Sequence, residues 1–178
     1  MLKFTQMNEA KKTNHKYEYG CLMLDLKIKN WQDILSQIDT DDIYNPDGTY
    51  GLEENPHITI LYGLHDDVKL EDMFNFVVSE IKSPTFEVTE VSYFEPDEYD
   101  VLKFTVKSDD LTTINKKLTD TFPYTTDFPE YKPHLTIAYL KKGTAKKYKG
   151  LNLVLDIDTE DEKVCYSFPP EYKVWIKI

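Results

Sequence analysis

Apolar residues fall into short runs along this chain, and turn-forming residues separate the runs. The first run, residues 19–26, is compact and apolar, which is typical of a buried strand. Asn30 is a suitable N-cap, and the apolar residues after it recur at helical spacing until about Asp39. A long acidic loop leads to a second run, residues 56–62, rich in Ile, Leu, Thr and Tyr. The pattern predicts strand, helix, loop and strand in this order.

The same order recurs further along the chain. A helix is predicted over residues 70–81 and a strand over residues 85–94, and a new strand is then expected over residues 101–107. A Ser-Asp-Asp cap and a helix over residues 111–122 follow it. The next apolar run covers residues 133–139, so strand, helix, loop and strand occur twice. This pseudo-repeat predicts an α+β fold with two similar lobes related by a two-fold axis.

Three strands are expected to close the fold at the end of the chain. They are predicted over residues 151–157, 164–168 and 172–178. The acidic stretch 156–162 lacks the Gly that a calcium-binding loop needs at its sixth position, where Asp161 stands. We therefore interpret this stretch as a solvated turn and expect no metal site in it.

Length and composition indicate one globular domain over residues 1–178. The hydrophobic content of 40% and the charged content of 30% are ordinary for a soluble chain of this size. Residues 1–16 are polar and lysine-rich, and we expect them to form a flexible leader. The two lobes are expected at about residues 17–95 and 96–178. This division leaves open an exchange of strands between the lobes.

The sequence also bears on the compartment of the protein. No apolar run approaches the roughly 20 residues that span a bilayer, and the leader lacks the apolar core of a signal peptide. The two cysteines, Cys21 and Cys165, cannot form a disulfide framework and are expected as buried thiols in a reducing compartment. We expect a cytoplasmic monomer that has no membrane partner.

Two stretches of the chain are nearly identical, and both fall on predicted strands. Residues 56–62 read Pro-His-Ile-Thr-Ile-Leu-Tyr, and residues 133–139 read Pro-His-Leu-Thr-Ile-Ala-Tyr. Because side chains alternate along a strand, the His and Thr of each motif share one face. We therefore list as candidate catalytic residues His57, Thr59, His134 and Thr136.

Two histidines and two threonines in one groove suit phosphodiester chemistry. A neutral imidazole can take a proton from the attacking hydroxyl or water, and a protonated one can give a proton to the leaving oxygen. The threonine hydroxyls can donate to the non-bridging oxygens, where negative charge builds up. This chemistry requires no metal and no cofactor.

The paired His-x-Thr motifs resemble those of the 2H phosphoesterase superfamily, which includes 2′-5′ RNA ligase-like proteins and cyclic phosphodiesterases. The resemblance implies a bilobal α+β fold over nearly the whole chain, with two pseudo-symmetric strand–helix–strand lobes and a central concave groove. It also implies that the four motif residues are catalytic. The residues around both motifs look more like those of phage-encoded members. Some of these act against CBASS immunity by cleaving cyclic oligonucleotide signals in the host cytoplasm.

Charge limits the kind of nucleic acid that this protein can bind. The formal net charge is −11, which argues against a broad surface for long nucleic acid but allows a small nucleotide in a local pocket. All 21 basic residues are lysines, so no arginine is present to hold phosphate. Bacterial RNA-ligase-like members often carry an arginine shortly after the second motif threonine, and this chain has Tyr139 and Leu140 there, followed by Lys141.

Candidate substrate-binding residues lie close to the two motifs. Tyr19 at the mouth of the first strand could stack on a base, and Tyr50 belongs to the long loop that could cover the groove. Lys141 and Lys142 begin the one dense basic stretch, which is either a phosphate-facing loop or a solvated one.

The sequence leads us to expect a metal-independent phosphodiesterase whose substrates are cyclic oligonucleotide immune signals. An alternative is cleavage of 2′,3′-cyclic or 2′-5′-linked nucleotides. A hypothesis of another class is a non-catalytic sponge that sequesters a nucleotide, although a binder needs neither an acid nor a base. An RNA-end ligase is disfavoured by the acidic surface and the missing arginine.

Overall fold

The structure is a computed structural model that describes residues 18–169 and 172–178. The predicted leader, residues 1–16, lies outside these described residues. In the described part of the chain, none of the helices has both the length and the apolar character needed to cross a membrane.

One antiparallel sheet of seven strands organises the described residues. The strands are β1 (Tyr19–Ile28), β2 (His57–His65), β3 (Glu87–Phe94), β4 (Tyr99–Lys107), β5 (His134–Lys141), β6 (Ile157–Phe168) and β7 (Tyr172–Lys177). The α-helices are α1 (Trp31–Leu35), α2 (Leu70–Glu80) and α3 (Asp109–Thr121), and short 3-10 turns cover Thr40–Asp42 and Ala145–Lys147. The fold is therefore α+β, as the sequence pattern predicts.

The order of the strands in the sheet is β3-β4-β5-β2-β1-β6-β7. The two strands that carry the His-x-Thr motifs, β2 and β5, are neighbours at the centre of the sheet. β3, from the first half of the sequence, lies beside β4, whereas β6 and β7, from the second half, lie beyond β1. Each side of the sheet is thus built from both halves of the chain.

The main hydrophobic core lies against the face of the sheet opposite the motif histidines. Ile58 and Leu135, which alternate with the motif residues, are fully buried in this core. The buried residues of α2 and α3, including Met73 and Leu111, belong to the same cluster. The helices therefore cover one face and leave the other face of β2 and β5 to form a groove.

The first helix is shorter than the sequence predicts. It ends at Leu35 and not near Asp39, and the side chain of Asn30 does not cap it. Asn30 instead donates to the carbonyl of Val154 at 2.7 Å and accepts from the amide of Asp156 at 2.9 Å. Its side chain is used to hold the segment before β6, so α1 starts without the expected cap.

The prediction for residues 151–162 is wrong in two respects. Residues 151–156 have no regular structure, and the acidic stretch that follows is part of the strand β6 and not a solvated turn. β6 pairs with β1 on one side and with β7 on the other, and Lys27 of β1 forms an ion pair with Asp158 at 2.9 Å. Lys27 on the neighbouring strand compensates Asp158, which a single-strand pattern does not reveal.

Candidate active site

The contact between β2 and β5 brings the two motifs together. Ile58 pairs with Leu135, and the strands run antiparallel. The neighbours of this pair point to the opposite face, so His57 lies beside Thr136 and Thr59 lies beside His134. All four side chains line the same groove, which has a volume of about 680 Å³.

Both histidines are held in the same way. Nδ1 of His57 lies 2.9 Å from the carbonyl oxygen of Asn55, and Nδ1 of His134 lies 2.8 Å from that of Lys132. Because a carbonyl only accepts a hydrogen bond, Nδ1 carries the proton in the neutral ring and Nε2 is the basic nitrogen. Each motif therefore presents Nε2 for proton transfer.

The two histidines differ in their surroundings, and positive charges act on His134. Its burial in the groove wall, reinforced by the charges of Lys103 and His57, lowers the pKa of His134 to about 4. The bond to the Lys132 carbonyl works in the opposite direction but does not outweigh burial. His134 is therefore neutral at pH 7 and can accept a proton.

His57 faces carboxylates. Asp25 of β1 lies opposite His57 in the strand register, and its carboxylate accepts a hydrogen bond from the indole of Trp175. Glu53 also lines the groove, and one of its oxygens accepts from the amide of Asn55 at 3.1 Å. Burial raises the pKa of both carboxyls, and both interact electrostatically with His57. Two partly buried carboxyl groups thus lie near His57, where Lys173 also interacts with them, whereas the charge of Lys103 acts on His134.

A cysteine lies beside the first threonine but is not activated. Cys21 lines the groove and packs with Met23 and Cys165 in a small buried cluster. Burial raises the pKa of the Cys21 thiol far above its ordinary value, although a hydrogen bond with Thr59 opposes the shift. The thiol stays protonated at neutral pH, so the groove offers imidazole chemistry and not thiolate chemistry.

The two tyrosines predicted to bind substrate stand behind residues that line the groove. The ring of Tyr19 lies 6.5 Å from that of Tyr62. The ring of Tyr50 lies 5.0 Å from that of Tyr99 and 5.4 Å from that of Tyr139. Tyr62, Tyr99 and Tyr139 line the groove, whereas the two predicted tyrosines are not among the described residues that do so.

The two predicted lysines are not brought into the groove either. Lys141 donates to the carbonyl of Asp41 at 2.6 Å. Lys142 donates to the carbonyl of Pro96 at 2.8 Å, and its ammonium lies 3.6 Å from the buried carboxylate of Asp100. Both side chains fasten loops that are distant in sequence.

One wall of the groove consists of residues that the sequence analysis did not select. The loop between α3 and β5 contributes Tyr124, Thr126, Asp127, Phe128, Pro129, Glu130, Tyr131 and Lys132. Tyr124 is 37% exposed and Phe128 is 45% exposed, so both offer aromatic surface to a ligand. The sequence offers one indication that this loop lines the groove, which is its position. It leads directly into the second motif, just as the acidic loop that contains Glu53 leads into the first.

Metal-ligating side chains do not cluster in the described part of the chain. There is no group of three or more His, Cys, Asp or Glu residues that could hold an ion among the residues that the structure describes.

Two His-x-Thr strands that face one groove in an α+β chain define the class of the 2H phosphoesterases. Comparison with protein families agrees, because the sequence model of the 2′-5′ RNA ligase superfamily matches residues 30–158. The chain belongs to this superfamily, and both motifs lie within the matched region. The resemblance seen in the sequence is thereby confirmed.

Two further comparisons were made with individual proteins. No curated protein matches the chain. Among solved structures, the chain is similar to a crystal structure of E. coli LigT complexed with 3′-AMP, with 12% sequence identity and a TM-score of 0.49. The similarity covers 90% of this chain and 96% of the LigT chain.

Proposed function

We propose that this protein is a metal-independent phosphodiesterase that cleaves one phosphodiester bond of a small nucleotide. The observation that carries the proposal is the pair of histidines in one groove, each with Nδ1 bonded to a backbone carbonyl. Such a pair can supply a base and an acid to the same reaction.

The environment of each histidine supports a division of roles. His134, whose pKa is lowered to about 4, takes the proton from the attacking hydroxyl or water through Nε2. The new bond between oxygen and phosphorus forms as the bond to the leaving oxygen breaks, and His57 gives that oxygen a proton. Each such proton transfer contributes roughly 10²–10⁴ in rate. His134 has then gained a proton and His57 has lost one. A proton transfer between the two histidines, or with water, restores the resting state.

The threonines are proposed to hold the phosphate. Thr59 and Thr136 line the groove beside the two imidazoles and can donate to the non-bridging oxygens, where charge develops. Because the chain has no arginine, hydroxyl groups, histidines and Lys132 are the donors that line the groove for this task.

We propose cyclic oligonucleotide immune signals as the substrates, and counter-defence by a phage as the role. A volume of about 680 Å³ lies within the roughly 300–1,000 Å³ of ordinary ligand pockets. The exposed rings of Tyr124 and Phe128 suit stacking on nucleobases, worth about 1–3 kcal/mol each. In such a substrate a ribose 2′-hydroxyl is the attacking group. The protein would act as a monomer in the host cytoplasm.

A second candidate is cleavage of 2′,3′-cyclic or 2′-5′-linked nucleotides. Membership of the 2′-5′ RNA ligase superfamily favours this alternative. The same residues would act, with water as the attacking group for a 2′,3′-cyclic phosphate. A third candidate, a nucleotide sponge, would use the groove without turnover.

One panel of substrates distinguishes these candidates. Purified protein is incubated in excess EDTA with cyclic dinucleotides, cyclic trinucleotides, 2′,3′-cyclic mononucleotides and 2′-5′-linked dinucleotides, and products are separated by chromatography. We expect many turnovers per protein molecule on a cyclic oligonucleotide. Stoichiometric binding without product would identify a sponge, and activity that returns only with added metal would contradict the mechanism.

A further inference from the structure

Lys103 is a buried cation at the back of the groove that the mechanism above does not use. It lies on β4 directly opposite Thr136 of β5, and its neighbour on the same face, Thr105, lies opposite His134. Side chains of directly paired residues point to the same side of a sheet, so Lys103 belongs to the face that carries the histidines. Yet the residue is only 6% exposed.

The ammonium group of Lys103 is held without a carboxylate. Nζ donates to the hydroxyl of Ser92 at 2.8 Å and to that of Thr105 at 3.3 Å. Among the ion pairs of the described residues, none involves Lys103. Glu90 interacts with Lys103 electrostatically but forms no ion pair with it, and burying a charge without a bonded counter-ion is costly. Charged groups of this kind concentrate at functional sites.

Phe94 connects this cation to His134. Nζ of Lys103 lies 4.3 Å from the centroid of the Phe94 ring, in a cation–π contact. The ring of Phe94 meets the imidazole of His134 edge-on, with centroids 5.0 Å apart. Phe94 also lines the groove. The ammonium group of Lys103 therefore contacts the ring of Phe94, and this ring in turn packs against the imidazole of His134.

We propose that Lys103 is a positioning residue of the active site, which fixes Phe94 against His134 and favours the neutral imidazole through its buried charge. The proposal rests on the proposed function in that it gives His134 the role of base. Lys103 touches no substrate in this account. It acts only through His134 and Phe94.

The charges around this pair agree with the assignment. Lys103 and His57 lower the pKa of His134, in addition to the effect of burial. Burial lowers the pKa of Lys103 itself, Glu90 opposes that shift and Lys132 adds to it. Lys103 thus adds to the effect of burial on His134 and does not replace it.

Two neutral variants test the proposal. Lys103→Met removes the charge and keeps the length of the side chain, and Lys103→Gln keeps a donor for Ser92. Lys103→Arg keeps the charge, and Lys107→Met removes an exposed lysine from the same strand as the matched control. The imidazole of His134 is titrated by NMR in each protein without substrate, so this readout does not depend on activity.

We expect the pKa of His134 to rise by at least about half a pH unit in Lys103→Met and Lys103→Gln. It should remain near the wild-type value in Lys103→Arg and Lys107→Met. If Lys103→Met does not fold, Lys103→Gln decides. An unchanged pKa of His134 in a folded neutral variant would overturn the proposal.

Kinetics provide the second readout. The acid limb of the kcat/KM profile should move to higher pH in the neutral variants and return in Lys103→Arg, whereas a merely structural role would lower the rate at every pH alike. A wild-type protein that turns over none of the substrates would refute the proposed function and leave the NMR titration as the decisive test of Lys103.

Discussion

Ile58 of β2 pairs with Leu135 of β5 at the centre of the sheet. This pairing places the two His-x-Thr motifs side by side although their histidines are 134 − 57 = 77 positions apart in the chain. Both residues of the pair are fully buried, so the hydrophobic core on one face sets the geometry of the groove on the other.

The acid limb of the pH profile should lie at unusually low pH. The proposed base, His134, is active when deprotonated, so kcat/KM falls as pH drops through its pKa of about 4. An ordinary imidazole, with a pKa near about 6.5, would be about nine-tenths protonated at pH 5.5. We expect the wild-type protein to retain most of its kcat/KM at pH 5.5. An acid limb centred near pH 6.5 would contradict a base of lowered pKa at His134.

Phe128 should contribute to binding of the substrate. Its ring is 45% exposed and lines the groove, so Phe128→Ala removes a surface on which a base can stack. A loss of about 1–3 kcal/mol corresponds to a Kd for a non-hydrolysable analogue that is weaker by roughly 5–150-fold. Phe74→Ala is the matched control, because Phe74 is 48% exposed on α2 outside the groove lining. Equal affinities for the Phe128 variant and the wild type would exclude stacking at this ring.

Gly63 should be required for the wall of the groove. It has φ +91°, and a Cβ there would overlap the carbonyl oxygen of Thr125, whose amide donates to the Gly63 carbonyl at 2.9 Å. Gly63→Ala should therefore lower the free energy of unfolding by more than about 2 kcal/mol and also weaken substrate binding.

Gly143→Ala separates steric overlap from backbone strain. Gly143 has φ +83°, and nothing lies within 4 Å of a Cβ built there. This variant should lose only the roughly 1–2 kcal/mol of a left-handed backbone and should bind substrate normally. Unfolding in urea and a binding titration measure both effects. Identical losses in the two variants would mean that the contact with Thr125 does not matter.

The strands that carry chemistry could be predicted because their pattern is local. Each motif repeats the same alternation of buried and groove-facing residues, so the common face of His57 and Thr59 follows from the sequence alone. What the sequence could not provide is the partner of a side chain. Lys141 and Lys142 have the right charge for phosphate, but the loops that they fasten lie 100 and 46 positions earlier.

Long-range pairing also explains the other differences. Asn30 has the right side chain for a cap, but this side chain forms its hydrogen bonds with the backbone of residues 154 and 156 instead. The start of β6 is a strand because Lys27 and Ile28 of β1 pair with Asp158 and Ile157. Burial lowers the pKa of His134 first, and the added effect of Lys103 comes from a residue of another strand that no motif marks.

The two histidines provide the most direct test of the account. His57→Ala, His134→Ala and the double variant are compared with the wild type by turnover rate on the substrate that the panel identifies. Each single variant should lose at least about 10²-fold in kcat, and the double variant should be little worse, because groups that act as a unit are strongly non-additive. Full activity in either single variant, with the fold intact by circular dichroism, would contradict the claim that the pair acts as base and acid.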